Sequence, residues 1–244
     1  MMRNYYFLLF ILFITACREN NPQLIIDKAI EAAGGDQYLH STIEFDFRGR
    51  HYKAIREGGK FSYERIFKND KDSSQTIHDF VTNEGFARKI NDSTIALPDS
   101  MKVKYTSSTN SVIYFALLPY ALNDLSVKKK FLGQTELDGK LFHKIQIAFG
   151  AEGGGEDYED VFNYWINTKD YTIGFLSYSY KEGNEIGYRL RKAYNTQKVN
   201  GILFSDYINY APRGNEKLED LEALYQKNEL KELSKIENTN IIVN

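Results

Sequence analysis

The sequence predicts a mainly β protein with flanking helices, in which a single curled antiparallel sheet of about ten strands forms a half-barrel. Three observations support this fold class. The chain is rich in Tyr and Phe, with 18 and 16 residues against one Trp, and both types favour pleated, half-buried surfaces. Short turn signals separate the apolar runs, which makes neighbouring strands antiparallel. One segment that is apolar on every side must be buried, and we expect it to form a helical plug in the concave face of the sheet.

The N-terminus has the parts of a secretory signal. Arg3 is basic, Tyr5 to Ile14 is an apolar run, and Thr15-Ala16 supplies small residues before a cleavage point. The apolar run has only about ten residues, whereas a membrane-spanning helix needs roughly twenty. We therefore expect residues 1–16 to be a signal peptide and the mature chain to begin at Cys17.

The residues before the cleavage point also indicate how the protein is anchored. Ile14-Thr15-Ala16-Cys17 resembles the bacterial lipobox, in which the cysteine is acylated, and Cys17 is the only cysteine in the chain. Exported proteins usually pair the cysteines that they keep, so a single one needs a reason. The alternative is an ordinary signal peptide followed by an incidental cysteine. The lipobox interpretation predicts a lipidated tether over residues 17–21 and a lipid-anchored position in the cell envelope, at the outer membrane facing the periplasm.

Residues 22–244 are predicted to form a single domain with N- and C-terminal helices. Asn21 is a good helix cap, Pro22 suits the first helical position, and Gly34-Gly35 ends the first helix. Apolar and charged residues then alternate from Ile43 to Arg48, so one face of this strand is exposed to water.

Tight turns divide the strands that follow. Asn and Gly tolerate the positive φ of a two-residue hairpin turn, and such turns are predicted at Asn91-Asp92, Asp138-Gly139 and Asn200-Gly201. The later strands are predicted over Leu141–Phe149, Val161–Ile166, Thr172–Tyr180, Tyr188–Tyr194 and Ile202–Tyr210.

Two segments depart from the strand pattern. Ser111 to Leu122 is apolar around its circumference and contains Pro119, which predicts a short, broken, buried helix. Glu216 to Ile236 carries a stripe of leucines among Glu and Lys, which predicts an amphipathic C-terminal helix.

Three stretches resemble a family of Bacteroidota lipoproteins defined as a domain of unknown function. They are Gly153 to Tyr180, Tyr114 to Asp124 and Arg191 to Tyr210. The resemblance extends over almost the whole mature chain. Family members often carry a histidine before the glycine pair of the first helix, where this chain has Ala33, so a role for that histidine does not transfer.

The order of elements is similar to that of periplasmic lipoprotein carriers of the LolA and LppX type. In those proteins a half-barrel of antiparallel strands surrounds an apolar cavity that helices fill. The segment Tyr164 to Asn167, a strand with a tryptophan before a turn, is similar to one step of that fold. This resemblance implies a LolA-like domain over residues 22–244, although a fold alone does not establish a function.

Composition and motifs argue against several functions. The formal net charge is −2, so the chain lacks the basic excess that nucleic-acid binding needs. Nucleotide-binding and hydrolase motifs do not occur, and we predict neither a cofactor nor a catalytic residue. The histidines are not at metal-binding spacing. The acidic cluster Glu156, Asp157, Glu159 and Asp160 can be interpreted as a calcium loop, but its spacing favours a solvated acidic loop and no metal site.

The candidate ligand site combines aromatic residues with one histidine and two arginines. Arg189 and Arg191 lie two apart on a strand, so both point to one face, where they can clamp an anionic head group. The alternative is pairing with acids on a water-exposed face. His143 alternates with apolar residues and is expected to face the core or the cavity. The predicted ligand-binding residues, each of which has a plain core role as its alternative, are Phe45, Phe47, Tyr63, Tyr114, Phe115, Leu118, His143, Trp165, Tyr178, Arg189 and Arg191.

These features favour a binding protein over an enzyme. The leading hypothesis is an envelope lipoprotein that attaches to the membrane through its N-terminal lipid and binds or carries a hydrophobic or amphipathic ligand, such as a lipid or a lipoprotein acyl chain. A second hypothesis is an outer-membrane scaffold subunit, with an envelope protein partner docked on the C-terminal helix and no small-molecule site. A third is a hydrolase that acts on envelope glycans or lipids.

Overall fold

The computed structural model describes residues 20–149, 160–182 and 185–244. The helices are Pro22–Ala33 (α1), Asp99–Ala116 (α2) and Leu221–Gln226 (α3), with 3-10 turns at Gly35–His40, Tyr120–Asn123 and Leu218–Asp220. The strands are Thr42–Phe47 (β1), Arg50–Glu57 (β2), Lys60–Asn69 (β3), Asp72–Thr82 (β4), Gly85–Ile90 (β5), Ser93–Thr94 (β6), Val127–Leu137 (β7), Lys140–Phe149 (β8), Val161–Asn167 (β9), Ile173–Glu182 (β10), Glu185–Val199 (β11), Ile202–Ala211 (β12), Lys231–Ile236 (β13) and Thr239–Val243 (β14).

The described strands form two seven-stranded antiparallel sheets. The first has the order β14-β1-β2-β3-β4-β5-β6, and the second has the order β13-β12-β11-β10-β9-β8-β7. The predicted mainly β character is confirmed, whereas the prediction of a single sheet of about ten strands is wrong. The strand series is divided at α2, and the first sheet gains β14 from the far end of the chain, with Ile43 opposite Val243. Pairing between such distant segments leaves no local pattern in a sequence.

The chain divides into two compact units. The described residues of Met1–Ala32, Leu122–Ala193 and Ile208–Ser234 form one, here called the Trp165 unit. Ala33–Ala121, Tyr194–Tyr207 and Lys235–Asn244 form the other, the Arg65 unit. Neither unit is one continuous segment of the sequence. The single domain over residues 22–244 stays a prediction.

The Arg65 unit contains β1 to β6, and α2 covers one face of this sheet over β3, β4 and β5. Ile43 and Phe45 point to the covered face and are buried, whereas Glu44 and Asp46 point to the other face and contact the His51 imidazole. The predicted alternation is therefore confirmed along β1. It ends at Phe47, because Arg48 lies in the following turn with a φ of 50°.

The Trp165 unit contains β7 to β10, and α3 covers one face of them. Leu221 of α3 is buried in a core with Trp165, Phe175 and Leu190. At Gly174 a Cβ atom would lie 2.4 Å from the ring of Phe142, so only glycine lets that ring pack closely on β10.

The predicted turns and the start of the first helix are confirmed. Asn21 Oδ1 accepts a hydrogen bond from the Gln23 backbone N–H at 2.9 Å, as a helix cap does. The helix ends at Ala33, before Gly34 and Gly35, which have positive φ values of 142° and 55°. Both residues of each predicted two-residue turn also have positive φ, at Asn91-Asp92, Asp138-Gly139 and Asn200-Gly201.

The buried apolar helix is longer than predicted. It begins at Asp99 rather than at Ser111, and Ala116 ends it just before the Leu118-Pro119 peptide, which is cis. Its polar first half contains Ser, Thr and Asn, which have modest helix propensity and gave no helical signal. In the part of the chain that the structure describes, no helix is long and apolar enough to cross a bilayer.

The prediction of a C-terminal helix over Glu216–Ile236 is wrong for most of its length. Helix α3 covers only six residues and ends before Asn228, whose φ is 57°. The Glu229 N–H donates to the Leu224 carbonyl at 2.9 Å, which closes the helix end. The next residues form β13 at the edge of the second sheet. The leucines that predicted one long helix are therefore divided between a short helix and a strand, and Asn228 in the left-handed conformation separates the two.

Candidate functional site

Four of the predicted ligand-binding residues share one face of the sheet in the Trp165 unit. Tyr178 is opposite Arg189 on one side and opposite Phe162 on the other, and residues opposite each other in a sheet share a face. The same face continues across β8 and β9, where Tyr164 is opposite Ile145. We call this the arginine face; it contains His143, Ile145, Ile147, Phe162, Tyr164, Leu176, Tyr178, Tyr180, Arg189 and Arg191.

The two arginines lie over tyrosine rings. The Arg189 guanidinium carbon is 4.8 Å from the centre of the Tyr180 ring, and that of Arg191 is 5.0 Å from the centre of the Tyr178 ring. Arg191 Nη2 also donates to the Tyr178 hydroxyl at 2.7 Å. Arg189 Nη1 donates to the Tyr188 carbonyl at 2.8 Å. Contacts of this kind hold a guanidinium in place without neutralising its charge.

Aromatic rings form a row that leads to these arginines. Phe149 packs edge-on against Phe162 at 5.7 Å, and Phe162 stacks on Tyr178 at 5.4 Å. Tyr178 in turn lies 6.0 Å from Tyr180. A Cβ atom at Gly187 would lie 2.4 Å from the Tyr180 ring, so the absence of a side chain there lets this ring lie on β11. The arginine face therefore has an apolar part and a cationic end.

Trp165 lies on the opposite face of the same strands. It is opposite Phe175, and it alternates with Tyr164. Trp165 Nε1 donates to Glu222 Oε2 of α3 at 3.1 Å, so this residue holds α3 on the sheet. The sequence could not assign Trp165 to a face because β9 is buried on both sides.

Glu222 is a half-buried carboxylate on the Trp165 face. It accepts hydrogen bonds from Lys144 Nζ at 2.5 Å and from Thr135 Oγ1 at 2.8 Å. Burial is the largest influence and raises the pKa of this carboxyl, but the hydrogen bonds from Lys144, Thr135 and Trp165 and the nearby charge of Lys144 together outweigh it. The pKa of Glu222 is therefore lowered from its ordinary value.

The remaining predicted residues belong to the Arg65 unit. Phe45, Phe47 and Tyr63 point to the face of the first sheet that α2 covers. Phe45 is fully buried and stacks on Tyr52 at 5.4 Å, while the Tyr63 hydroxyl accepts a hydrogen bond from Arg56. Phe45 is thus a core residue of this unit.

Tyr114, Phe115 and Leu118 lie where α2 ends. The Tyr114 and Phe115 rings are packed edge-on at 5.4 Å, and both side chains are half-buried. Leu118 is buried, with 7% of its surface exposed. The expected burial of Leu118 is confirmed, and Phe115 is less buried than expected.

Sequence reasoning missed a buried charged cluster in the Arg65 unit. Asp79 lies between Arg65 and Arg88 on the face that α2 covers, with hydrogen bonds of 2.5–3.0 Å to both guanidinium groups. Arg65 Nη1 also donates to Ser108 of α2 at 2.8 Å. The signal was present in the strand pattern, because Asp79 lies between the inward-pointing Ile77 and Val81.

Cys17 and residues 156–159 of the acidic cluster lie outside the described residues. Across 20–149, 160–182 and 185–244, no group of three or more His, Cys, Asp or Glu side chains is placed to hold a metal ion.

Sequence comparison assigns the chain to a family. Residues 2–240 match the family described as Family of unknown function (DUF6503). The chain belongs to DUF6503. A search of curated proteins finds no significant match to this DUF6503 chain.

Several solved structures are similar to this DUF6503 protein at low sequence identity. A LolA superfamily protein from Nitrosomonas europaea is 9% identical, with 91% of this chain and 92% of that chain covered and a TM-score of 0.46. A DUF1329 family protein from Desulfovibrio piger is 11% identical, with 91% and 92% covered and a TM-score of 0.40. The lipoprotein LppX from Mycobacterium tuberculosis is 11% identical, with 65% and 88% covered and a TM-score of 0.27. Similarity at this level does not establish a shared ligand.

Proposed function

We propose that this DUF6503 protein is a lipid-anchored envelope protein that binds a hydrophobic or amphipathic ligand, such as a lipid or a lipoprotein acyl chain, on its arginine face. The observation that carries the proposal is the row of aromatic rings that ends at Arg189 and Arg191. Apolar surface attracts an acyl chain without orienting it, because hydrophobic burial has no direction. A cationic end gives the ligand an orientation.

The apolar part and the cationic end of the arginine face match the two parts of an amphipathic anion. Tyr178, Arg189 and Arg191 are half-buried, so a head group can reach them from solvent. Each guanidinium lies over a phenol ring, and the planar fork of an arginine can bind a phosphate or carboxylate group through two parallel hydrogen bonds. Deeper on the face, Ile145 and Tyr164 are fully buried. An acyl chain therefore enters only after the side chains that cover them move aside.

The alternative of a scaffold subunit has lost its support from the sequence. That hypothesis depended on a C-terminal helix with an apolar stripe free to dock on a partner. Leu221 is fully buried in the core of its own unit, and Leu224 packs against the same core. Leu233 is exposed, but it lies on a strand and continues no helical stripe.

Lipid mass spectrometry tests the carrier function. In the anchored protein, adhering bilayer would obscure a bound ligand, so the test uses Cys17→Ser protein, which we expect to leave the membrane. Extracts of this protein should contain one class of amphipathic lipid in a fixed ratio to protein. Changing Arg189 and Arg191 together to Lys should lower that ratio, because Lys keeps the charge but loses the planar fork.

The matched control is Arg213→Lys, an exposed arginine of the same unit that is not one of the residues of the arginine face. It should retain the ligand at the level of the parent protein. Circular dichroism should show the same fold for all variants. Protein that is folded and carries no lipid in any of these forms would contradict the proposal.

A further inference from the structure

The Trp165 unit contains a cavity of about 530 Å³ beside α1. Leu24 and Ile25 of α1 form an apolar wall, and Thr168 and Tyr171 of the β9–β10 turn lie across from them. This volume is within the range of small-molecule sites. Arg189 and Arg191 do not line the cavity, whereas His143 of the arginine face does, so the tests below separate the cavity from the cationic end of that face.

The cavity has one cation at its wall. Lys28 Nζ donates to the Tyr171 hydroxyl at 2.9 Å and lies 4.7 Å from the centre of the Tyr171 ring. Among the described residues, no carboxylate forms an ion pair with Lys28. The Tyr171 phenol thus positions the Lys28 ammonium group at the wall of the cavity.

Polar groups complete the wall. His143 is buried, with 5% of its surface exposed, and its Nδ1 lies 3.2 Å from Gln134 Nε2. The two side chains are therefore within hydrogen-bond distance of each other and hold each other in place at the cavity wall. The His143 and Tyr171 rings are nearly parallel, at 17°, with centres 6.3 Å apart.

Tyr171 is held in an unfavourable backbone conformation. Its φ of 58° lies in the left-handed region, where a bulky residue is a genuine outlier. The Tyr171 N–H donates to the Asn167 carbonyl at 3.0 Å, which keeps the turn closed. This conformation places the phenol between Lys28 and His143. Strain of this kind is concentrated at functional sites.

We propose that this cavity is a binding site for a small monocarboxylate with an apolar substituent. One lysine among polar side chains balances a single negative charge, whereas a phosphate dianion would be left partly uncompensated. The apolar substituent contacts Leu24, Ile25 and the aromatic rings of the cavity. Lys28 is the counter-ion that gives the site its preference for the anion.

Calorimetric titration with benzoate and benzamide tests this assignment, because the two probes have nearly the same shape and only benzoate is charged. Benzoate should bind saturably, and at least about tenfold more tightly than benzamide. Lys28→Gln should weaken benzoate binding about tenfold and leave benzamide binding unchanged. The affinity of Lys28→Arg for benzoate should stay within about threefold of that of the parent protein. Lys169→Gln is the control, since Lys169 is an exposed lysine of the same turn that does not line the cavity.

Proton NMR locates the bound probe. The chain has four histidines, so the His143 ring resonance can be assigned by its loss in His143→Gln. Benzoate should shift this resonance in the parent protein and in the double Arg189→Lys, Arg191→Lys variant alike. Failure of lipid binding would therefore leave this result intact. Absence of saturable benzoate binding at millimolar concentration, or equal binding to Lys28→Gln, would overturn the site.

Discussion

Replacing Asp79 with Asn tests the buried charge cluster of the Arg65 unit. The Asp79 side chain is fully buried and accepts N–H bonds from Arg65 at 2.6 and 3.0 Å and from Arg88 at 2.5 and 2.9 Å. The two guanidinium groups are only 2% and 8% exposed. Asn keeps the shape of Asp but carries no charge, so two buried cations would lose their only counter-ion in the cluster.

The expected cost follows from how the charges are arranged. Breaking a buried ion pair from one side costs about 3–5 kcal/mol, because an uncompensated charge stays buried. Arg88→Met should cost less, about 1–2 kcal/mol, because it leaves a neutral Arg65–Asp79 pair and removes the excess positive charge. Which of the two variants loses more stability therefore tests the reasoning as directly as the size of each loss.

Equilibrium urea unfolding, followed by circular dichroism, measures the free energy of unfolding of both variants. Asp99→Asn is the control, because Asp99 is 93% exposed and pairs with Lys102 at the surface; it should not change the unfolding midpoint measurably. The reasoning would be refuted by an Asp79→Asn protein within about 1 kcal/mol of the parent. It would also be refuted if Arg88→Met cost more than Asp79→Asn.

Three further variants test other parts of the account. Glu222→Gln should lower the free energy of unfolding by about 2 kcal/mol at neutral pH. Because the folded-state pKa of Glu222 is lowered, its contribution is present above the ordinary pKa of 4.5 and is lost as the pH falls through the folded value, so the curves of parent and variant should converge in acid. Leu118→Asp should destabilise the protein by about 3 kcal/mol or more, since it buries an unpaired charge, and an unchanged melting temperature would contradict this. Cys17→Ser should abolish acyl labelling and release the protein from membranes; labelled palmitate that still enters the variant would rule out the lipobox.

Local features of the fold could be predicted because their causes are local. A two-residue turn such as Asp138-Gly139 requires positive φ, and few residue types accept it. Strand periodicity likewise identified the buried side of β1. The two-sheet arrangement could not be predicted in this way, because β14 pairs with β1 across nearly the whole chain. The last leucine stripe was misassigned because a six-residue helix and a following strand together imitate a longer helical period.

The candidate site was predictable only in part. Alternation along β11 correctly placed Arg189 and Arg191 on one face, and strand register adds Tyr178 and His143 to it. No pattern along β9 indicated that Trp165 lies on the opposite face, since this strand is buried on both sides. Lys28 was not among the candidates at all, because a lysine on an amphipathic helix usually belongs to its solvated face.

Photo-crosslinking on the arginine face tests the central claim most directly. A palmitate analogue with a diazirine near its carboxylate would be bound to the Cys17→Ser protein, irradiated and mapped by peptide mass spectrometry. The account predicts adducts on the β10 and β11 peptides that contain Tyr178, Tyr180 and Arg189, with competition by unlabelled palmitate and loss in the double Arg189→Lys, Arg191→Lys variant. Adducts confined to the Trp165 face, or labelling that unlabelled palmitate does not displace, would contradict it.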